Sequence, residues 1–354
     1  MMRIGITIFL FCLLHLNALS QASIQGIEVR SKLGFLLPHR TVMTHLVQGH
    51  SLGIELAWVN QTTGEQEWST TFNKPRYGWS IYFSDFGNRP VLGQGIGGFS
   101  FIEFPFFRIK GWSLGTKLAA GLGYVTKKYD LMTNPKNNAI GSHLNALVEV
   151  GIWVNKQFKQ SEISLGIDMT HLSNGATILP NLGLNVPYLS LGMTTYLSQI
   201  NYVSPKDSFQ NDFKNHFSIL AVASTKQIYP TGGSNYFVSS LSAMYELKRS
   251  RKCAIDFAID FIYNQSHQEL IADPNIGRIF QVGLFSAYVL PVNRFYYLLG
   301  MGYYVKNQIN PDGNIYHRFG FRYHMNDRFG FNLTIKSHWG KADYFEYGII
   351  YQLN

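Results

Sequence analysis

ISLGIDMTHLS, residues 163–173, alternates strictly between two kinds of side chain. The odd positions are Ile163, Leu165, Ile167, Met169, His171 and Ser173, and the even ones are Ser164, Gly166, Asp168, Thr170 and Leu172. In a strand these two sets point to opposite faces, so one face is greasy and the other is small or polar. The same pattern recurs as Leu52, Ile54, Leu56 and Trp58 against Gly53, Glu55 and Ala57. It recurs again as Ile255, Phe257, Ile259 and Phe261 against Asp256, Ala258 and Asp260, and as Phe329, Phe331, Leu333 and Ile335 against Gly330, Asn332 and Thr334. A soluble sandwich also alternates, but here roughly fourteen such segments of about ten residues succeed one another, with turn residues between them. This pattern reads as an all-β chain, a transmembrane antiparallel outer-membrane β-barrel of about 12–16 strands with lipid outside and a polar interior.

Composition agrees. Charged residues make up 14% and aromatic residues 15% of the chain, with 33 glycines, whereas a soluble domain carries about 25% charged residues. No stretch beyond the N-terminus reaches about 18 consecutive apolar residues, so strands rather than a helix must do any crossing. Trp58, Tyr77, Trp79, Tyr188, Tyr303, Tyr304, Tyr344 and Tyr347 fall near expected strand ends, where aromatic girdles sit at a membrane interface. The last segment sends Phe345, Tyr347, Ile349, Tyr351 and Leu353 to one face, as a barrel-closing strand should.

The N-terminus reads as a secretory signal peptide over residues 1–20. Arg3 precedes the apolar run IGITIFLFCLLHL, and Ala18-Leu19-Ser20 offers small residues for cleavage before Gln21. Residues 21–354 then read as one barrel domain in the bacterial outer membrane. Cys253 is the only cysteine left after Cys12 is removed with the signal, so no internal disulfide is expected. The formal charge is +9, which favours anionic partners. Export and strand content make that partner lipid, and no basic block or RNA-binding motif supports nucleic acid.

Few motifs carry chemistry. Gly93-Gln94-Gly95-Ile96-Gly97-Gly98 has dinucleotide-loop spacing but lacks the following helix, so it reads as a glycine-rich strand. Histidines 45, 50, 143, 216, 267, 317, 324 and 338 are scattered and form no zinc-ligand spacing. No cofactor or metal is expected. Glu55, Glu149, Asp168, Asp256 and Asp260 fall on the inward parity, where lumen polar groups belong. His171 and Ser173 differ, because they continue the greasy outward column just before the turn Asn174-Gly175-Ala176. Two readings stay open for them. They are interface residues at a strand end, or a nucleophile beside its base, since imidazole can take the serine proton across an i, i+2 pair. In the second reading the N–H groups of Asn174 and Gly175 form the oxyanion site.

The stretch THLSNGATILPNLGLN, residues 170–185, resembles the PagL family of outer-membrane lipid A 3-O-deacylases. The resemblance rests on His171, Ser173, Asn174, Gly175, Pro180, Asn181, Gly183 and Leu184, which match the family spacing without a gap. It is close over 170–192 and extends over about 45–198. It implies that His171 and Ser173 are the catalytic base and nucleophile on the outer wall of the barrel, that Asn185 orients His171, and that the substrate is lipid A, or lipopolysaccharide, without a cofactor. Two departures accompany it. The family has a glutamate where this chain has Asn185, and residues 199–354 continue beyond the family barrel, which reads as additional strands of an enlarged barrel. The competing expectation is a non-enzymatic porin or transport barrel, with Lys117, Asp256 and Asp260 lining its lumen.

Overall fold

A computed structural model describes residues 23–203, 213–272, 275–309 and 312–354. The expected signal peptide over residues 1–20 lies outside the described residues. The described residues form antiparallel β-structure, as the alternation requires, with only helical turns of four to six residues between strands. The strands are β1 (Ser23–Phe35), β2 (His50–Thr62), β3 (Arg76–Asp85), β4 (Gln94–Ile109), β5 (Trp112–Val125), β6 (Leu144–Gln157), β7 (Ser161–Ser173) and β8 (Leu184–Tyr196), followed by β9 (His216–Gln227), β10 (Asn235–Ser250), β11 (Cys253–Asn264), β12 (Phe280–Val292), β13 (Phe295–Lys306), β14 (Ile315–His324), β15 (Phe329–His338) and β16 (Lys341–Gln352). No helix among the described residues is long and apolar enough to cross a membrane.

The strand total lies within the expected range, but the strands do not form the single enlarged barrel expected for residues 21–354. They close as two barrels, β1 to β8 and β9 to β16. Alternation tells a strand which face is greasy; it does not tell it which strand is its neighbour. In the first barrel β8 pairs back onto β1, with Gly26 opposite Tyr196 and Gly34 opposite Tyr188. A Cβ at Gly34 would lie 2.2 Å from the Pro187 carbonyl oxygen and 2.6 Å from the Tyr188 ring, so at this end of the seam β1 needs a residue without a side chain. In the second barrel β16 pairs onto β9 from Tyr347 opposite Ala223 to Gln352 opposite Ser218.

Face assignments hold. In β7, Leu165 and Ile167 are 52% and 68% exposed, while Ser164, Asp168 and Thr170 are buried. Outward apolar side chains are matched by inward polar ones: Glu55, Glu149, Asp168, Asp256 and Asp260 are all buried. The aromatic assignments are mixed. Trp79 and Tyr303 face outward, Tyr77 shares the parity of Trp79 but is buried with its ring against Trp68, and Tyr188, Tyr304 and Tyr344 are buried inside. Tyr188 instead accepts or donates to Ser51 at 2.9 Å, Ser84 at 2.6 Å and Tyr82 at 2.8 Å. Tyr188, Tyr304 and Tyr344 occupy the inward parity of their strands, and there parity outranks nearness to a strand end.

Both interiors are filled. In the first, Lys32 pairs with Glu149 at 2.6 Å and Asp168 at 2.8 Å, and Lys117 bridges Glu55 and Glu149 at 2.8 Å each. Arg30 and Arg76 share Glu103 at 2.6 Å and 2.5 Å, and Arg76 also holds Glu162 at 2.6 Å. The Arg30 guanidinium stacks 3.9 Å above the buried Trp153 ring. In the second, Arg318 joins Asp260 at 2.5 Å to Glu346 at 2.8 Å, and Arg322 holds Asp256. Buried charges persist only when paired in this way. Eight strands enclose just enough room for such side chains, unlike the water channel of a larger porin barrel. Lys117, Asp256 and Asp260 therefore face the interior as expected, but they are buried in ion pairs instead of lining a channel.

In the first barrel the connections 36–49, 86–93, 126–143 and 174–183 share one end, and 63–75, 110–111 and 158–160 share the other. The end of β7 that carries His171 and Ser173 belongs to the set with the longer loops.

Candidate active site

Three side chains meet at that end by sheet geometry alone. His171 and Ser173 are i and i+2 on β7, so they share its outer face. His171 stands directly opposite Asn185 in the β7–β8 ladder, the arrangement that brings cross-strand side chains into contact. The His171 Nε2 lies 2.8 Å from Ser173 Oγ, and its Nδ1 lies 2.5 Å from Asn185 Oδ1. An amide oxygen only accepts, so Nδ1 carries the ring proton and Nε2 presents its lone pair to the Ser173 hydroxyl. Such a chain can take a proton from serine. His171 and Asn185 are half-buried, and Ser173 is only 4% exposed.

The turn after β7 is pinned from two sides. Asn174 N–H donates to Asn181 Oδ1 at 2.9 Å, and Asn174 Nδ2 donates to Ser142 Oγ at 2.8 Å. Asn181 forms a β-bridge with Ile140, and Gly183 N–H donates to the Ala139 carbonyl at 2.9 Å. The 126–143 connection thus braces the 174–183 connection. Gly175 and Gly183 have positive φ, 62° and 81°. Gly183 is further constrained, because a Cβ there would come within 2.7 Å of His171 Cε1. The expected oxyanion donors are therefore unequal, since the Asn174 N–H is already engaged by Asn181.

Sequence reasoning missed one residue. His39, in the connection after β1, touches the far end of the Asn185 amide, with Asn185 Nδ2 2.9 Å from His39 Nδ1. No local spacing signals this, because 146 residues separate the two. No group of three or more histidine, cysteine or carboxylate side chains among the described residues has metal-site geometry.

A closed antiparallel barrel with a hydroxyl, an imidazole and an amide in line on its outer wall is the architecture of a barrel with hydrolase-type groups at its rim. Residues 52–194 match the family described as lipid A 3-O-deacylase (PagL), and residues 215–354 match the acyloxyacyl hydrolase C-terminal domain. Between them the matches take in most of both barrels, and the chain belongs to the PagL lipid A 3-O-deacylase family, in a form that also has this C-terminal domain. No curated protein matches the sequence significantly. Among solved structures, a triple mutant of the Rhodopseudomonas blastica porin aligns over 94% of this chain and 100% of its own at 9% identity, with a TM-score of 0.19. Salmonella typhi OmpF in complex with daunomycin aligns over 93% and 97% at 10% identity, again with a TM-score of 0.19.

Proposed function

We propose that the chain is an outer-membrane serine esterase that removes an ester-linked 3-hydroxyacyl chain from lipid A, reached after export by the signal in residues 1–20. The observation that carries this reading is the direction of the Ser173–His171–Asn185 chain. It ends a column of exposed apolar residues on the outer wall, at the end of the barrel with the longer loops. Polar side chains on such a wall are tolerated near the interface and costly at midplane, and an outward nucleophile there addresses an acyl ester of the surrounding lipid, not a solute in the lumen.

In this reading Ser173 Oγ attacks the ester carbonyl carbon as His171 Nε2 takes its proton. Asn185 Oδ1 accepts from Nδ1–H throughout and holds the ring. The carbonyl oxygen becomes an oxyanion, for which Gly175 N–H is the primary donor, with Asn174 N–H joining if Asn181 releases it. The intermediate collapses, and Nε2–H protonates the departing sugar oxygen. Water then attacks the acyl-serine, passes its proton to Nε2, and the Ser173 oxygen leaves with that proton as the 3-hydroxy fatty acid departs. The filled interiors of both barrels speak against the porin alternative.

The test is the release of 3-hydroxy fatty acid from purified lipid A, followed by mass spectrometry, for wild type and Ser173→Ala in detergent. Wild type should release the chain and the variant should not, with both folded. If wild type releases no fatty acid from any lipopolysaccharide, the esterase reading fails.

A further inference from the structure

Asn185 has two unlike ends. Its Oδ1 only accepts and its Nδ2 only donates, so the end that faces His171 decides the tautomer of the ring. With Oδ1 toward His171, Nε2 is free to accept from Ser173. Turned over, the amide would donate to Nδ1, the ring proton would move to Nε2, and His171 would donate to Ser173 instead of deprotonating it. The two orientations occupy the same volume, and packing barely distinguishes them. The group that does distinguish them sits at the other end of the amide, where Asn185 Nδ2 meets His39 Nδ1 at 2.9 Å.

We propose that His39 is a positioning residue: its Nδ1 accepts from Asn185 Nδ2, holds the amide with its oxygen toward His171, and so sets the His171 tautomer that can deprotonate Ser173. Closure of the first barrel puts it there. The β1–β8 seam brings the end of β1 beside the start of β8, and Leu37 N–H donates to the Asn185 carbonyl at 2.8 Å. His39 N–H in turn donates to the Leu37 carbonyl at 3.1 Å, so the chain folds the imidazole back over Asn185. Partial burial, and after it the Arg40 charge, lower the His39 pKa against the opposing carbonyls of Leu37 and Leu182. A neutral ring accepts at Nδ1 when its proton sits on Nε2. A carboxylate at position 185 would need no such partner, because both of its oxygens accept.

The catalytic consequence rests on the esterase reading, but the tautomer does not, and the experiment separates them. Full-length protein with nitrogen-15 histidine, in detergent, reports the His171 tautomer from its ring shifts, and lipid A turnover reports kcat and KM. His39→Leu is expected to shift the ratio of the two tautomers about five-fold toward the Nε2–H form, the effect of one lost neutral hydrogen bond, and so to lower kcat about two-fold at unchanged KM. His39→Asn, whose Oδ1 can take the place of Nδ1, should restore most of both. In an Asn185→Asp background, His39→Leu should cost nothing further. Heat-modifiability on gels verifies that each variant is folded, as expected for an exposed loop residue. An unchanged His171 tautomer in His39→Leu, or an equal fall in kcat with and without Asn185→Asp, overturns the proposal. If wild type shows no turnover, the esterase reading fails while the nitrogen shifts still decide the role of His39.

Discussion

Replacing Asn185 with aspartate adds a negative charge and removes the Nδ2 donor to His39 while keeping the shape of the side chain. The side chains have the same shape, so the 2.5 Å contact to His171 Nδ1 is retained. In the proposed reaction, what changes is the partner that the ring meets once it has taken the Ser173 proton and become an imidazolium. A neutral hydrogen bond contributes about 1 kcal/mol net and one to a charged group about 1.5–3 kcal/mol. The gain is therefore about 1–1.5 kcal/mol, close to tenfold in rate. Coulomb attraction sets the ceiling: unit charges about 4 Å apart at an effective dielectric near 20 attract by about 4 kcal/mol. Asn185 is half-buried, so a carboxylate there loses solvation, and the lower figure is the expected one. The assay is the initial rate of 3-hydroxy fatty acid release from lipid A in detergent, with kcat and KM separated. Asn185→Asp should raise kcat about tenfold with little change in KM, whereas Asn185→Leu, which leaves Nδ1–H without an acceptor, should lower it by about tenfold or more. If the aspartate variant falls as far as the leucine one, Asn185 does not act as an acceptor for His171 and the reasoning is wrong.

Three further outcomes follow from the same contacts. Ser173→Ala should reduce turnover about ten-thousand-fold or more while the heat-modified gel shift of the folded barrel stays at its wild-type temperature. Gly183→Ala puts a Cβ 2.7 Å from His171 Cε1 at a residue whose φ is 81°. Backbone strain of about 1–2 kcal/mol should lower the unfolding temperature slightly, and displacement of the ring should lower kcat about a hundredfold. Lys117→Met leaves Glu55 and Glu149 facing one another without the cation that now lies 2.8 Å from each. Breaking a buried pair costs about 3–5 kcal/mol, to be read as a lower urea midpoint for the loss of barrel structure, and an unchanged midpoint would show that the network is not what holds this interior.

Much of the site was legible because it is local. His171 and Ser173 share a face by strand parity, and the short 174–183 connection returns Asn185 to the position opposite His171. Spacing along one hairpin therefore carries the whole contact. The aromatic residues were less so: Tyr188 and Tyr344 lie near strand ends, but period-2 geometry turns them inward, where Tyr188 joins Ser51, Ser84 and Tyr82. The Asn174 N–H, free by its place in a turn, is taken by Asn181 once the turn folds.

Strand content, the sidedness of the alternating segments such as 52–58, 163–173 and 329–335, and the His171–Ser173–Asn185 hairpin were legible in the sequence, since each depends on residues a few positions apart. Closure was decided only in the tertiary structure. Whether β8 pairs with β1 or continues into β9 turns on hydrogen bonds between segments that are far apart in the chain, and on glycines at 26 and 34 that let the seam come close. That same closure divides the sixteen strands among the described residues into two filled barrels and carries His39 to the far end of Asn185.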